Sequence, residues 1–319
     1  MTPAELDRYA DLLVSVGVNL AEGQELFVDA FVEHAPLVRA IARAAYAAGA
    51  PRVDVVYADK YVDAALVELG AEDELERGAP WLIQRATAIE DRGGALVSLT
   101  GDPAPRLLDE LDPQRVAIPR AKDLTAERIR VAMGEKVRWT IAGFPTEGWA
   151  EIALGSPDVE RLWSAVSTAV RLDEDDPGAA WQAHVGDLQA RTRALNELHL
   201  DAVRFHGAGT DLVVGLLPQS SWRCGGHSVA GRPFVANMPT EEVFATPDRN
   251  RADGVVRSTR PLPLNGAVVE GLEVRFRDGA IVAVDAEAGA HVVRKQVAVD
   301  EGAARLGELA LVDAGSRVG

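Results

Sequence analysis

Cysteine is nearly absent from this chain: its 319 residues include one, Cys224. An internal disulfide and a cysteine-built zinc knuckle are thereby excluded. Aromatic residues supply only 5% of the sequence against 47% hydrophobic residues overall, so Ala, Val and Leu must fill most of the core. Basic residues are outnumbered, 33 Lys and Arg against 49 Asp and Glu, for a net charge of −16. Phosphate binding needs a basic face, so this balance argues against nucleic acid or an anionic membrane as partner. No run approaches the roughly 20 apolar residues of a membrane span. The first residues are acidic and amphipathic, with no basic segment leading into an apolar core, which makes the cytoplasm the expected location.

Several catalytic signatures are missing as well. No His-Glu-x-x-His occurs, which excludes the zincin arrangement, and no Gly-x-Ser-x-Gly elbow marks an α/β-hydrolase. Gly207 to Gly209 opens no helix and lacks Walker spacing, so it reads as a hairpin turn and not as a phosphate cradle. The histidines His34, His184, His199, His206 and His291 stand singly. His206, on an expected strand, is the one that suits a pocket wall. Cys224-Gly225-Gly226-His227 holds a thiol and an imidazole in a Gly-rich loop, but no orienting partner for nucleophilic catalysis is identifiable. Trp139, Trp149, Trp163 and Trp181 fall at core or helix-packing positions and form no stacking platform for bases.

What is present is a regular alternation. Thr2-Pro3-Ala4-Glu5 is a capping box with proline at the first helical position. Strands are expected at Glu25 to Phe31, Arg52 to Ala58, Ala95 to Thr100 and Arg138 to Gly143. Helical periodicity lies between them, at Pro36 to Ala48, Val62 to Asp91, Pro105 to Leu111 and Asp123 to Val131. This predicts an α/β domain with a mostly parallel sheet covered on both faces. Two long helices follow, Asp158 to Val170 and Ala179 to Leu198. From residue 201 the pattern turns to short strands and turns, with helix expected only at Glu301 to Leu306. The expected organisation is an N-terminal three-layer α/β domain over 1–200 and a β-rich domain over 201–319.

Chemistry concentrates at two places. Asn237-Met238-Pro239-Thr240-Glu241-Glu242-Val243-Phe244 sets two adjacent carboxylates between a Pro-Thr corner and an apolar step. Glu308 interrupts the strand-like Leu306-Gly307-Glu308-Leu309-Ala310-Leu311-Val312. A charge on a buried strand is costly unless paired or bound to a cation. By themselves, Glu241-Glu242 read more readily as a solvated turn and Glu308 as a strand-edge carboxylate. Carboxylates converging from separate elements are also what a divalent cation requires.

The order of these blocks resembles the M29 metallo-aminopeptidases along essentially the whole chain. The resemblance runs through Tyr9-Ala10-Asp11-Leu12-Leu13-Val14, Gly23-Gln24-Glu25-Leu26, Trp139 to Thr146, Gly209-Thr210-Asp211-Leu212, Asn237 to Phe244 and Asp300 to Val312. It implies an N-terminal α/β domain, a β-rich catalytic domain, a homodimer, and two divalent metal ions (Zn, Co or Mn) that serve removal of N-terminal residues from peptide substrates. It carries the metal ligands to Glu242, with Glu241 as fallback, and to Glu308. The family's further ligands, two histidines, a tyrosine and an aspartate, belong to motifs after the Gly-Glu segment. Only eleven residues follow Glu308 here, with no His, Tyr or Glu among them. The expectation is therefore an incomplete catalytic domain, truncated and weakly active or inactive. The alternative is a non-catalytic homologue that binds peptides or dimerises.

Overall fold

A computed structural model describes residues 1–116, 118, 120–134, 136–264 and 267–318. The N-terminal half alternates as the periodicity predicts. Helix α1 (Pro3–Leu12) leads to β1 (Leu26–Phe31), α2 (Ala35–Ala47) and β2 (Val53–Ala58). Then come α3 (Lys60–Leu69), α4 (Glu72–Leu75), α5 (Pro80–Asp91), β3 (Ala95–Thr100), α6 (Pro113–Val116), α7 (Lys122–Met133) and β4 (Arg138–Gly143). Helices α8 (Glu147–Leu154), α9 (Val159–Ala169) and α10 (Pro177–Glu197) follow.

The C-terminal part begins with the hairpin β5 (Ala202–Gly207) and β6 (Thr210–Leu216), then β7 (Arg223–Cys224), β8 (Gly226–Val229), β9 (Arg232–Val235) and β10 (Asn237–Met238). Next are β11 (Glu242–Ala245), β12 (Pro247–Arg257), β13 (Leu262–Leu264), β14 (Ala267–Val269), β15 (Glu273–Arg277) and β16 (Ala280–Asp285). Helix α11 (Ala290–Val297) and β17 (Leu309–Val312) complete the course.

Two compact units emerge. The first comprises residues 1–185, 225–240 and 317–319, and the second 186–224 and 241–316. The sequence places a single boundary near residue 200. The segment 225–240 instead belongs with the first unit, because β10 adds to the first sheet beside β4 through Asn237↔Ile141 and Met238↔Ala142.

The first unit is built on a sheet of order β10-β4-β3-β1-β2 whose pairs are all parallel. Alternate residues of each strand face a core formed with α1, α2 and α9. Leu26 and Val28, Ala95 and Val97, and Ala142 lie there with Tyr9, Leu13, Leu37, Ile41, Leu162 and Trp163. Each fully buried Leu or Ile side chain contributes about 1.5–3 kcal/mol. Local chemistry starts the helices, at Thr2 as the sequence indicates and at two further caps. The Thr2 Oγ1 accepts from Glu5 N while Glu5 Oε2 accepts from Thr2 N. Asp59 Oδ1 accepts from the first amides of α3, and Thr146 Oγ1 from Trp149 N in α8.

The second unit is antiparallel. One sheet runs β16-β15-β12-β6-β5 and another β17-β11-β7. Their core gathers Leu212, Val214 and Leu216 of β6 with Val243 and Ala245 of β11, Phe276 of β15 and Leu309 of β17. The Asp278-Gly279 pair, both at positive φ (49° and 76°), turns β15 into β16. This is the backbone that an Asp-Gly hairpin turn requires. The α/β unit with a parallel sheet and the β-rich unit are as the sequence indicates.

Three local expectations are corrected. The single helical region from Val62 to Asp91 is three helices, interrupted where Gly70 adopts an extended ψ of 163° and where Pro80 opens α5. Pro105 to Leu111 is a series of turns, closed by Leu107 N→Ala104 O, Asp109 N→Arg106 O and Leu111 N→Leu108 O. Each of those bonds spans three residues, so no α-turn forms. In the β-rich part the helix falls at Ala290–Val297, whereas Glu301 to Ala304 is turn, with Asp300 Oδ1 accepting from Ala303 N at 2.8 Å. Tertiary anchoring selects that helix: Val293 is buried with Val269 and Val284, and Arg294 donates to the Val284 carbonyl at 2.7 and 3.0 Å.

Candidate metal centre

Strand β11 is the central strand of its sheet. It pairs antiparallel with β17 in the register Glu242↔Val312, Val243↔Leu311, Phe244↔Ala310 and Ala245↔Leu309, and with β7 through Val243↔Cys224. Strand alternation then decides which side chains share a face. Val243, Ala245 and Leu309 point into the core and are buried. Glu242 lies on the opposite face with Phe244, Ala310 and Val312.

Glu308 immediately precedes β17, beyond the last pair of the ladder, Ala245↔Leu309. Glu242 is half-buried and Glu308 exposed. Burial pushes the Glu242 carboxyl above its ordinary range, and the charge of Glu308 adds to that shift. The expectation of Glu308 inside a buried strand is corrected: the strand begins at Leu309, and Glu308 precedes it in solvent. The apolar Leu306 and Leu309 around it created the appearance of a continuous run.

Glu241, immediately before β11, is also half-buried. The residue ahead of it is anchored in the first unit. His184 Nε2 donates to the Thr240 carbonyl at 2.8 Å, with the tautomer set by the carbonyl being an acceptor. The His184 ring meets Trp181 edge-on, centroids 5.5 Å apart. Nothing in the sequence distinguishes His184 from the other scattered histidines, because its partner is 56 residues away.

The remaining candidates resolve into structural roles. His206 is exposed on β5, with Nδ1 4.0 Å from Asp211. Cys224 is buried in the second core, and His227 sits against Phe234, centroids 5.5 Å apart. Gly225 between them serves packing: a Cβ there would lie 2.4 Å from Thr240 Oγ1. Trp163 and Trp181 are buried, and Trp139 and Trp149 partly so.

Carboxylate pairs of this kind suit a divalent cation in chemistry, since a positive ion would relieve the like-charge interaction at Glu242. In number they fall short. Among the described residues no group of three or more His, Cys, Asp or Glu side chains is gathered to hold a metal ion. The donors present therefore do not make a closed metal centre on their own.

Comparison with known proteins adds the decisive context. The sequence profile of the thermophilic metalloprotease (M29) family matches residues 2–319. Aminopeptidase T of Thermus aquaticus is 42% identical over 316 residues, covering 97% of this chain and 77% of the relative. Aminopeptidase 2 of Geobacillus stearothermophilus is 36% identical, covering 97% and 76%. The structure of wild-type AmpT from Thermus thermophilus superposes with a TM-score of 0.89 at 37% identity, covering 98% of this chain and 79% of that one. By class, then, this is a metallopeptidase. The chain belongs to the thermophilic metalloprotease (M29) family, and by that membership it is a metallo-aminopeptidase of the M29 type.

Proposed function

We propose that the protein releases N-terminal residues from peptides in a metal-dependent reaction, with Glu242 and Glu308 supplying carboxylate ligands and Glu241 able to replace Glu242. The observation that carries this reading is the half-buried Glu242 carboxyl, raised by burial and by the charge of Glu308. A carboxylate with raised proton affinity near a second negative charge is poised to exchange its proton for a cation. Two divalent ions, Zn, Co or Mn, match the resemblance, and such ions would supply polarisation of the scissile carbonyl and acidification of water. The chain's own part is positional. Val243, Ala245 and Leu309 lock β11 and β17 into the core, which orients the acidic face. A substrate's free α-ammonium is complementary to that face, which favours a chain end over an internal bond. A homodimer in the cytoplasm completes the reading; among the described residues no helix is long and apolar enough to cross a membrane.

A second reading is a homologue that binds peptides or dimerises without turnover. One experiment separates them: metal content after exhaustive dialysis, together with hydrolysis of aminoacyl-anilides, for the native chain and Glu242→Gln. Stoichiometric metal and turnover that both fall in the variant support the peptidase. Metal content unaffected by Glu242→Gln overturns the ligand assignment, and tight peptide binding without metal or turnover establishes the second reading.

A further inference from the structure

The first sheet has an order in which the chain reverses direction. From β1 it moves to β2 at one edge, then returns to β3 on the other side of β1. In open parallel sheets the crevice near the carboxyl ends of the strands at such a reversal is where ligands bind. Here the open space lies on one face of the sheet and not beyond the strand ends, where buried His34 bonds the Gly101 carbonyl. A groove of about 410 Å³ lies over the carboxyl-terminal half of the sheet, lined by Asp29, Val56, Ala58, Ser98, Arg128 and Ile141 among others. Its size falls within the range of small-molecule sites, about 300–1,000 Å³.

The walls are apolar and accessible: Ile141 is 39% exposed and Ile129, on the adjoining turn of α7, 58%. Asp29 and Arg128 are the charged residues lining it, and Asp29 is held from outside the groove by Arg85. Arg85 Nε meets Asp54 at 2.5 Å and its Nη1 meets Asp29 at 2.6 Å. Its Nη2 turns to the Val28 and Asp54 carbonyls at 3.3 and 3.4 Å. Arg85 is therefore committed. Asp29 also receives Arg128 Nη2, at 3.1 Å. Asp29 thus spends its carboxylate on two guanidiniums and has little left for a ligand cation.

Arg128 is the opposite case. Its side chain is 45% exposed, and among the described residues Nη2 is the nitrogen it uses. A guanidinium carries five donors in a fixed fork that matches a carboxylate. Asp29 holds this fork beside the groove, so a ligand need not order it.

We infer that the groove between β1, β2, β3, β4 and α7 is a binding site for a small carboxylate on an apolar body, its carboxylate taken by Arg128 and its aliphatic part by Val56, Ala58 and Ile141. Amino acids with branched side chains and the C-termini of short peptides share this chemistry. Among the described residues that line the groove, one guanidinium and no glycine fit a monovalent carboxylate better than a phosphate. An amine is disfavoured because Asp29 is doubly paired.

The test follows the methyl groups of Ile129 and Ile141 by NMR in the whole chain while N-acetyl-leucine, N-acetyl-leucinamide, leucine and Ala-Leu are titrated separately. N-acetyl-leucine should give saturable shifts at both methyls, and the amide should bind about tenfold or more weakly, since it lacks the charged acceptor. Arg128→Gln should weaken N-acetyl-leucine by a similar factor. Ala58→Trp, at an exposed position that leaves the core untouched, should abolish the shifts by filling the groove. Leucine binding more tightly than Ala-Leu identifies the free amino acid as the better ligand, and the reverse identifies the peptide end; either outcome supports the site. Equal affinity for acid and amide, shifts unaltered by Arg128→Gln, or no saturable shift overturns it. The acetylated amine keeps the result independent of the α-ammonium recognition proposed at Glu242 and Glu308.

Discussion

Arg85 offers the sharpest test of what holds the parallel sheet together. Its side chain is 13% exposed and Asp29 19%, and it bridges β1 to β2 through Asp29 and Asp54 while its guanidinium lies 5.3 Å from the Phe27 ring centroid. Arg85→Met keeps most of the apolar stem and deletes the charge. Breaking a buried ion pair from one side costs about 3–5 kcal/mol, because the other charge stays behind in a poor solvent. Two features discount that figure here: Asp54 is 41% exposed, and Asp29 retains Arg128 at 3.1 Å. The expected loss is about 2–3 kcal/mol, or roughly 4–12 °C in the melting of a unit this size. The matching control is Arg43→Met. Arg43 pairs with Asp7 at 2.5 Å but with side chains 63% and 52% exposed, and such a pair is worth about 0–1 kcal/mol. Urea unfolding with amide hydrogen exchange at β1 and β2 would measure both. If Arg85→Met costs less than about 0.5 kcal/mol, or no more than Arg43→Met, the network is not a structural tie and the reasoning fails.

Other perturbations follow from single observations. The raised proton affinity of Glu242 means its contribution is fully present below the ordinary carboxylate range and is lost as pH rises through the folded value. Glu242→Gln should therefore stabilise the metal-free chain at neutral pH and leave acid stability unchanged; Glu308→Gln should move the Glu242 titration partway back, as carboxyl NMR would show. His34 is fully buried, its Nε2 3.0 Å from the Gly101 carbonyl, and burial lowers its proton affinity. Stability linked to His34 is present above the unfolded value of about 6.5 and is lost as pH falls through the lower folded value. A melting-temperature series that stays flat through that acid window would refute this. Gly254 sits at φ +127°, and a Cβ there would meet the Asp211 carbonyl oxygen at 2.0 Å. Gly254→Ala should cost more than about 3 kcal/mol or prevent folding of the second unit, and near-native urea stability would contradict that geometry.

The sequence by itself determined the alternating first half. Strands β3 and β4 end where the apolar alternation does, and the cap at Thr2 acts over three residues. Such signals are local, so periodicity and capping chemistry suffice to read them. Family membership was legible too, because the blocks stand in one order along the chain; the ligand roles of Glu242 and Glu308 rest on the proposal. Tertiary structure alone decided the rest. Helix α11 carries three valines, Val292, Val293 and Val297, with weak intrinsic helix preference, and forms because Val293 and Arg294 find partners on β16. Glu308 reads as buried from its neighbours, yet the ladder starts one residue later and leaves it in solvent. The strand order, the Asp54–Arg85–Asp29–Arg128 chain and the groove above it all depend on residues distant along the chain. Their spacing is set by which strand pairs with which, a choice made by burial of the whole sheet and not by any local segment.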